Sequence, residues 1–385
     1  MDVQSQIRRA CPVLVLSVMA ACALSASASL DAVLEPIRQA NDLPALAAAV
    51  VKGGQTVAVG AVGVRKAGSP QRVTADDKWH IGSCTKSMTA ALAAMLVEDG
   101  TLRWDMTPAE MFADLESQMQ PEWREVTLEQ LLAHRGGAPP DLDEQGLWDR
   151  LWQRADRLPR EQREYLTREL LTMHEPVAPP GVKTIYSNAG YALVGHAIES
   201  LLDRPWEDLL RQRLFAPLGM TGAGFGAPAS VGEVDQPWGH KAGEGGTFEP
   251  VAPGLHADNP AAIGPGGTVH CRLDDLAKYA AWHLAGARGE RARHASPLLH
   301  PETFERLHTP LAADSEYALG WVATERPWGG GTVLTHAGSN TMFYAVIWIA
   351  PQKDFAVVVC TNAGGDAAEK AVDHAAAILI REGTE

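Results

Sequence analysis

The chain predicts an α+β fold: one antiparallel sheet flanked by helices, with a large helical insert between its two halves. Three observations carry this. β-rich runs occur near the start, over residues 45–51 and 57–64, and return at the end over 332–336, 342–350 and 355–361. Between these groups the apolar residues follow mainly helical spacing. No period of 20 to 50 residues marks a repeat architecture.

The elements follow in order. Leu30, Val33, Leu34 and Ile37 define one face of a first helix over residues 30–40, which Pro36 should kink or shorten. The first two strands are joined by Lys52-Gly53-Gly54-Gln55-Thr56, whose glycines suit a hairpin turn. A helix then begins at Ser83, with Met88, Ala91, Leu92, Met95 and Leu96 on one apolar stripe and Gly100 beyond its end. Thr127 and Gln130 form a capping box that opens the next helix, and Gly136-Gly137-Ala138-Pro139-Pro140 stops it. Residues 141–176 are charged and helical in pattern, broken by Pro179-Pro180-Gly181. A second apolar helix spans 191–202. Residues 221–268 are rich in Gly and Pro and read as long surface loops, a suspected functional rim. Helices over 274–282 and 366–380 complete the set.

Composition narrows the function. The hydrophobic fraction of 46% and charged fraction of 21% are those of an ordinary folded protein, and the net charge of -14 repels phosphate backbones. No nucleic-acid partner is expected. Residues 1–28 have the form of a secretory signal: Arg8-Arg9, an apolar run over 12–24, then Ala26-Ser27-Ala28. The chain is therefore expected to be exported, periplasmic or secreted. Val18-Met19-Ala20-Ala21-Cys22 is an imperfect lipoprotein pattern, so lipid attachment through Cys22 stays open. Cys84, Cys271 and Cys360 have no paired or zinc spacing, and the thirteen histidines do not cluster, so neither metal nor cofactor is expected.

Candidate chemistry centres on Ser83-Cys84-Thr85-Lys86. A serine with a lysine three residues on places hydroxyl and ammonium one helical turn apart, on one face. Ser83 is the chain's only serine in that relation, although composition alone gives about one such pair in a chain this long. Cys84 lies ~100° around the helix axis and reads as a core thiol. Tyr186-Ser187-Asn188 offers a phenol for proton transfer and an amide for a bound acyl group. His336-Ala337-Gly338 ends a β-rich run, where glycine admits a close backbone. No Gly-x-Ser-x-Gly elbow and no His-Glu-x-x-His helix is present.

In this order, Ser-x-x-Lys, Tyr-x-Asn and His-x-Gly resemble the penicillin-recognising serine hydrolases. The similarity is to the branch of class C β-lactamases, DD-peptidases, D-amino-acid peptidases and esterases. Lesser matches run through residues 30–380, among them Leu131-Leu132-Ala133-His134, Pro217-Leu218-Gly219-Met220, Gly266-Gly267 and Leu319-Gly320-Trp321. The resemblance implies a β-lactamase/transpeptidase-like fold over 29–385, its α/β part at about 29–80 and 265–385 and its insert at about 81–264. It implies acyl transfer on Ser83, with Tyr186, polarised by Lys86, as base. Asn188, His336, Gly338 and Ser339 would bind the substrate, and the amides of Ser83 and Ser339 would form the oxyanion hole. The substrate class is a small-molecule or peptide ester or amide. A β-lactamase proper, a DD-peptidase and a slow-deacylating acyl-trapping binder are the alternatives. Two departures stand out. His336 occupies the place of a lactamase lysine that holds the antibiotic carboxylate, and Arg135-Gly136-Gly137 replaces Thr-Ser-Gly.

Overall fold

The computed structural model describes residues 30–144, 146–289 and 298–384. The signal-like segment and Cys22 lie outside the described residues.

Helix α1 (residues 30–40) runs through Pro36. Pro36 and Ala32 are both exposed, so the carbonyl that proline leaves unpaired faces water. Strands β1 (Ala45–Lys52) and β2 (Gln55–Gly63) form the expected hairpin. After β3 (Lys78–His80) the chain enters the helical region: α2 (Thr85–Glu98), α3 (Leu128–Leu132), α4 (Pro159–Met173) and α5 (Asn188–Leu202). It returns through β4 (Val269–Arg272) and α6 (Leu273–Ala287). Strands β5 (Val322–Arg326), β6 (Gly331–Ser339), β7 (Tyr344–Ala350) and β8 (Phe355–Thr361) precede the last helix, α7 (Asp366–Thr384).

The main sheet has the order β2-β1-β8-β7-β6-β5, antiparallel throughout, so the two ends of the chain share one sheet. Strand β5 adds one member to the three expected at the C-terminal end. Alternation assigns the faces. Leu46 and Ala48 of β1, with Val357 and Val359 of β8, pack against α1 and α7. Ala47 and Ala49, with Ala356 and Val358, face the larger core that holds α6 and the helical region. Covered on both faces, β8 reads Phe-Ala-Val-Val-Val-Cys-Thr and is buried throughout.

Two expectations need correction. The helix after Ser83 does not bury one stripe: every residue from Thr85 to Leu96 is buried. It is wrapped by α5, by residues 264–267 and by other helical segments, and its alanines, serine and threonines allow that close approach. The stretch 221–268 is not all surface loop. It carries short strands at Gly224–Phe225, Gly239–Ala242 and Phe248–Val251, and its end, Gly264–Gly267, is buried against α2 and α5.

Candidate active site

Ser83 lies in a single 3-10 turn, Gly82–Cys84, that feeds directly into α2. Gly82 has φ +50°, and a side chain there would overlap the Ser339 amide nitrogen. Reciprocally, a Cβ on Gly338 would overlap the Ile81 carbonyl oxygen and the Ser83 amide nitrogen. Only two glycines let the segment before α2 lie directly against the end of β6. The amides of Ser83 and Ser339 thereby become neighbours.

Lys86 follows one turn later and is fully buried. Its Nζ donates to Asn188 Oδ1 at 2.7 Å and to the Gly266 carbonyl at 2.6 Å, and lies 3.0 Å from Ser83 Oγ. Burial pushes the Lys86 ammonium down to about 7, against a smaller opposing effect of Cys84. In its neutral form the amine has two hydrogens for two carbonyl oxygens and one lone pair for the Ser83 hydroxyl. That is a base geometry.

Tyr186 and Asn188 flank Ser187, which caps α5: its Oγ accepts the Gly190 N–H and donates to the Pro139 carbonyl. The Ser187 N–H donates to Nδ1 of His134 at 3.1 Å. His134 sits at φ +59°, ends α3, and places its ring 4.3 Å from Tyr186 and 4.5 Å from Tyr317. The Tyr186 ring centre is 4.7 Å from Lys86 Nζ, and its hydroxyl hydrogen-bonds Ser83. Burial raises the phenol above its ordinary range and the Ser83 bond offsets part of this. Because 42% of the residue is exposed, solvent tempers the rise. Burial thus moves the two groups in opposite directions, easing loss of the Lys86 proton and hindering loss of the Tyr186 proton.

All seven residues singled out in the sequence, Ser83, Lys86, Tyr186, Asn188, His336, Gly338 and Ser339, meet here. Their contacts refine what each can do. Asn188 spends its oxygen on Lys86. His336 is buried, with Nδ1 donating to the Ala337 carbonyl at 2.6 Å and Nε2 accepting from the Tyr317 hydroxyl at 3.0 Å. Burial, helped by Lys86, pushes the imidazole down to about 3, so it stays neutral. Cys84 is buried, its thiol pushed up to about 12 by burial and pointed at the His336 carbonyl. It is a packing thiol.

Sequence reasoning missed Tyr317, His134 and the Gly266 carbonyl as parts of the cleft. Tyr317 lay just before Leu319-Gly320-Trp321, and Gly266 within Gly266-Gly267, so the signals were adjacent. Gly320 shows the connection, because a side chain there would run into Ser87 of α2. Among the described residues no three His, Cys, Asp or Glu side chains are grouped to hold a metal ion.

The family model described as Beta-lactamase matches residues 30–382. The chain belongs to the beta-lactamase family. It is a serine hydrolase of the beta-lactamase and penicillin-binding protein superfamily. Penicillin-binding protein 4 of Amycolatopsis lactamdurans is 27% identical over 338 residues, covering 86% of this chain and 84% of its own. The unguisins hydrolase of Aspergillus campestris is 28% identical over 341 residues, covering 85% of this beta-lactamase-family chain and 60% of its own. Among solved structures, the octameric penicillin-binding protein homologue from Pyrococcus abyssi superposes with a TM-score of 0.73 at 24% identity, covering 92% and 77% of the two chains. The D-alanine carboxypeptidase AmpC from Burkholderia cenocepacia gives 0.69 at 21%, covering 94% and 100%. At those identities the structural likeness speaks for the fold. Tyr-x-Asn and Ser-x-x-Lys lie on that fold within one cleft.

Proposed function

We propose that this protein hydrolyses uncharged esters or amides through an acyl-enzyme on Ser83, with Lys86 as base and Tyr186 as proton donor to the leaving group. The observation that carries it is the Lys86 amine: buried, lowered to about 7, and 3.0 Å from Ser83 Oγ. Neutral Lys86 takes the Ser83 proton as Oγ attacks the carbonyl carbon. The developing oxyanion lies between the Ser83 and Ser339 N–H groups, donors of a kind that contribute ~10²–10³ in rate when removed singly. Tyr186, a neutral phenol at pH 7, protonates the departing group and recovers its proton from the Lys86 ammonium beside its ring. Water then attacks the ester of Ser83, passing its proton through Tyr186 to Lys86, and Lys86 returns it to Oγ.

The uncharged preference follows from the walls. His336 and His134 are neutral, and burial keeps the tyrosines around them protonated. The side chain that stands where a lactamase lysine would hold a carboxylate is the buried, neutral imidazole of His336. The relatives include a penicillin-binding protein and an unguisins hydrolase, which supports acyl-transfer chemistry and leaves ester against amide to experiment. Export, periplasmic or beyond, is part of the proposal, since residues 1–28 have a signal's charge and apolar pattern. Cys22 is the residue a lipoprotein route would use.

The test is active-site labelling followed by turnover. A fluorophosphonate should label wild type and Cys84→Ala but not Ser83→Ala, and p-nitrophenyl esters should turn over continuously. Labelling that moves to another serine, or survives in Ser83→Ala, removes the assignment. A single burst without turnover makes the protein an acyl-trapping binder instead.

A further inference from the structure

A buried hydrogen-bond chain runs behind the cleft through residues that acyl transfer itself does not use. His80 ends β3 and is fully buried. The Gly82 N–H donates to its Nδ1 at 3.1 Å, so Nδ1 is the bare nitrogen and Nε2 carries the hydrogen. Nε2–H donates to Asp258 Oδ2 at 2.9 Å. The other carboxylate oxygen, Oδ1, accepts from Asn340 Nδ2 at 3.2 Å and from the Asn259 N–H at 2.8 Å. Asn340 is buried too, and its own oxygen accepts the amides of Met342 and Phe343 at 3.2 and 3.0 Å, fixing the turn that follows Ser339.

The ends of this chain matter. Gly82 immediately precedes Ser83, and Asn340 immediately follows Ser339. The two amides assigned to the oxyanion hole thus belong to segments joined through one carboxylate, supplied by a loop 178 residues from His80 and 82 from Asn340. The segments also meet through the packing of Gly82 on Gly338, the His80 and Phe343 rings 5.9 Å apart, and the weak thiol bond from Cys84 to the His336 carbonyl. Glycine contacts resist compression but do not stop the segments from drifting apart. A carboxylate holding donors on both sides does, because hydrogen bonds to a carboxylate are stronger than neutral ones and Asp258 is buried.

We propose that Asp258 and His80 are positioning residues of the oxyanion hole: through Gly82 and Asn340 they set the separation of the Ser83 and Ser339 amides. The proposal rests on the acyl-transfer assignment of Ser83. Neither residue touches substrate in this scheme, and both act through the backbone they hold.

Asp258→Asn is the informative change. The carboxamide offers one oxygen where two acceptors are needed, so its NH₂ must face either the His80 Nε2–H or the Asn340 amide donor. If His80 instead shifts its hydrogen to Nδ1, it repels the Gly82 N–H. Every arrangement slackens one end. His80→Gln provides the second variant: it reaches Asp258 with an amide donor but withdraws the acceptor from Gly82.

The experiment uses full-length protein, with active sites counted by fluorophosphonate so that every rate refers to folded, reactive enzyme. Acylation by p-nitrophenyl acetate and inhibition by phenylboronic acid, which forms a tetrahedral adduct on the serine, are measured for wild type and both variants. Asp258→Asn should acylate ~10-fold to 10²-fold more slowly per site, less than the loss of a whole donor, with KM within about twofold. Phenylboronate affinity should weaken by a similar factor, and His80→Gln should show the same pattern if Asp258→Asn does not fold. A merely structural role would lower the number of titratable sites and leave per-site rate and boronate affinity unchanged, which overturns the proposal. A loss confined to KM overturns it as well. Wild type that is neither labelled nor active would instead defeat the serine-hydrolase assignment beneath it.

Discussion

Tyr317 donates its hydroxyl hydrogen to Nε2 of His336 at 3.0 Å, which leaves that imidazole without a free nitrogen. A histidine at a strand edge would ordinarily titrate near ~6.5 and could greet a carboxylate at mildly acid pH. This one is pushed down to about 3 by burial and Lys86.

The consequence is a flat specificity ratio. For p-nitrophenyl hexanoate and its ω-carboxylated analogue, the ratio of kcat/KM should favour the neutral ester and stay constant within about twofold from pH 5.5 to 8, because effects common to both substrates cancel. A cationic His336 would instead improve the carboxylated ester toward low pH by roughly tenfold or more, the size of a charged hydrogen bond. Such a rise would show that Tyr317 does not hold the ring as described.

Lys86 predicts a separate pH limb. Activity needs its neutral form, so log kcat/KM should rise with pH and level off above an apparent pKa of about 7. Lys86→Arg keeps a cation that never deprotonates at these pH values, and should lose at least ~10²-fold in acylation at every pH, with the limb gone. A limb near neutrality that persists in Lys86→Arg assigns the titration to another group.

Much of this was legible beforehand, for a physical reason. Ser83 and Lys86 share a helical face at i and i+3, Tyr186-Ser187-Asn188 announces itself as a helix start, and β-rich runs stand at both ends of the chain. What was hidden depends on chain-distant contacts. Burial of α2 on all sides cannot be read from spacing, since alanine and threonine fit a half-exposed helix equally well. The opposite shifts of Lys86 and Tyr186 come from burial, to which α5 and Gly264–Gly267 contribute from about a hundred residues or more along the chain. Asp258 sat in a Gly- and Pro-rich stretch read as surface, and only the fold turns it inward to His80.

Gly338 tests how closely the two cleft segments must meet. In Gly338→Ala the new methyl collides with the Ile81 carbonyl and the Ser83 amide, both backbone atoms that cannot turn aside. The variant should lose ~1–3 kcal/mol of stability and at least ~10²-fold in acylation, the second because the Ser83 and Ser339 amides are forced apart. Denaturant melts and burst kinetics measure the two separately. Full activity in a folded Gly338→Ala would mean that the oxyanion is not held between these segments.

Acid should unfold the protein early. Burial lowers His240 and His270 to about 4 and His308 and His336 to about 3, so the unfolded chain binds more protons than the folded one below ~6.5. Stability is therefore fully present above that pH and falls as pH drops toward these folded values. Urea midpoints at pH 7.5 and 5.5 check the sign. An unchanged or higher midpoint at pH 5.5 would show that other groups outweigh these histidines.

Tyr186→Phe separates the two proton-transfer roles. Its phenol is held above the ordinary range, which disfavours the phenolate and suits a donor. A donor matters only when the leaving group needs a proton. An alkyl ester or an amide expels a strong base and requires one, whereas p-nitrophenolate leaves readily without help. Tyr186→Phe should therefore acylate slowly with alkyl esters, by ~10²-fold or more, and lose far less with p-nitrophenyl esters of the same acyl group. The substitution removes one hydroxyl from a residue that is 42% exposed, so the fold should be retained and fluorophosphonate labelling of Ser83 should persist. Equal, large losses on both ester classes would mean that Tyr186 removes the Ser83 proton itself. Lys86 would then serve to stabilise a phenolate, and the pH limb near 7 would need a different owner.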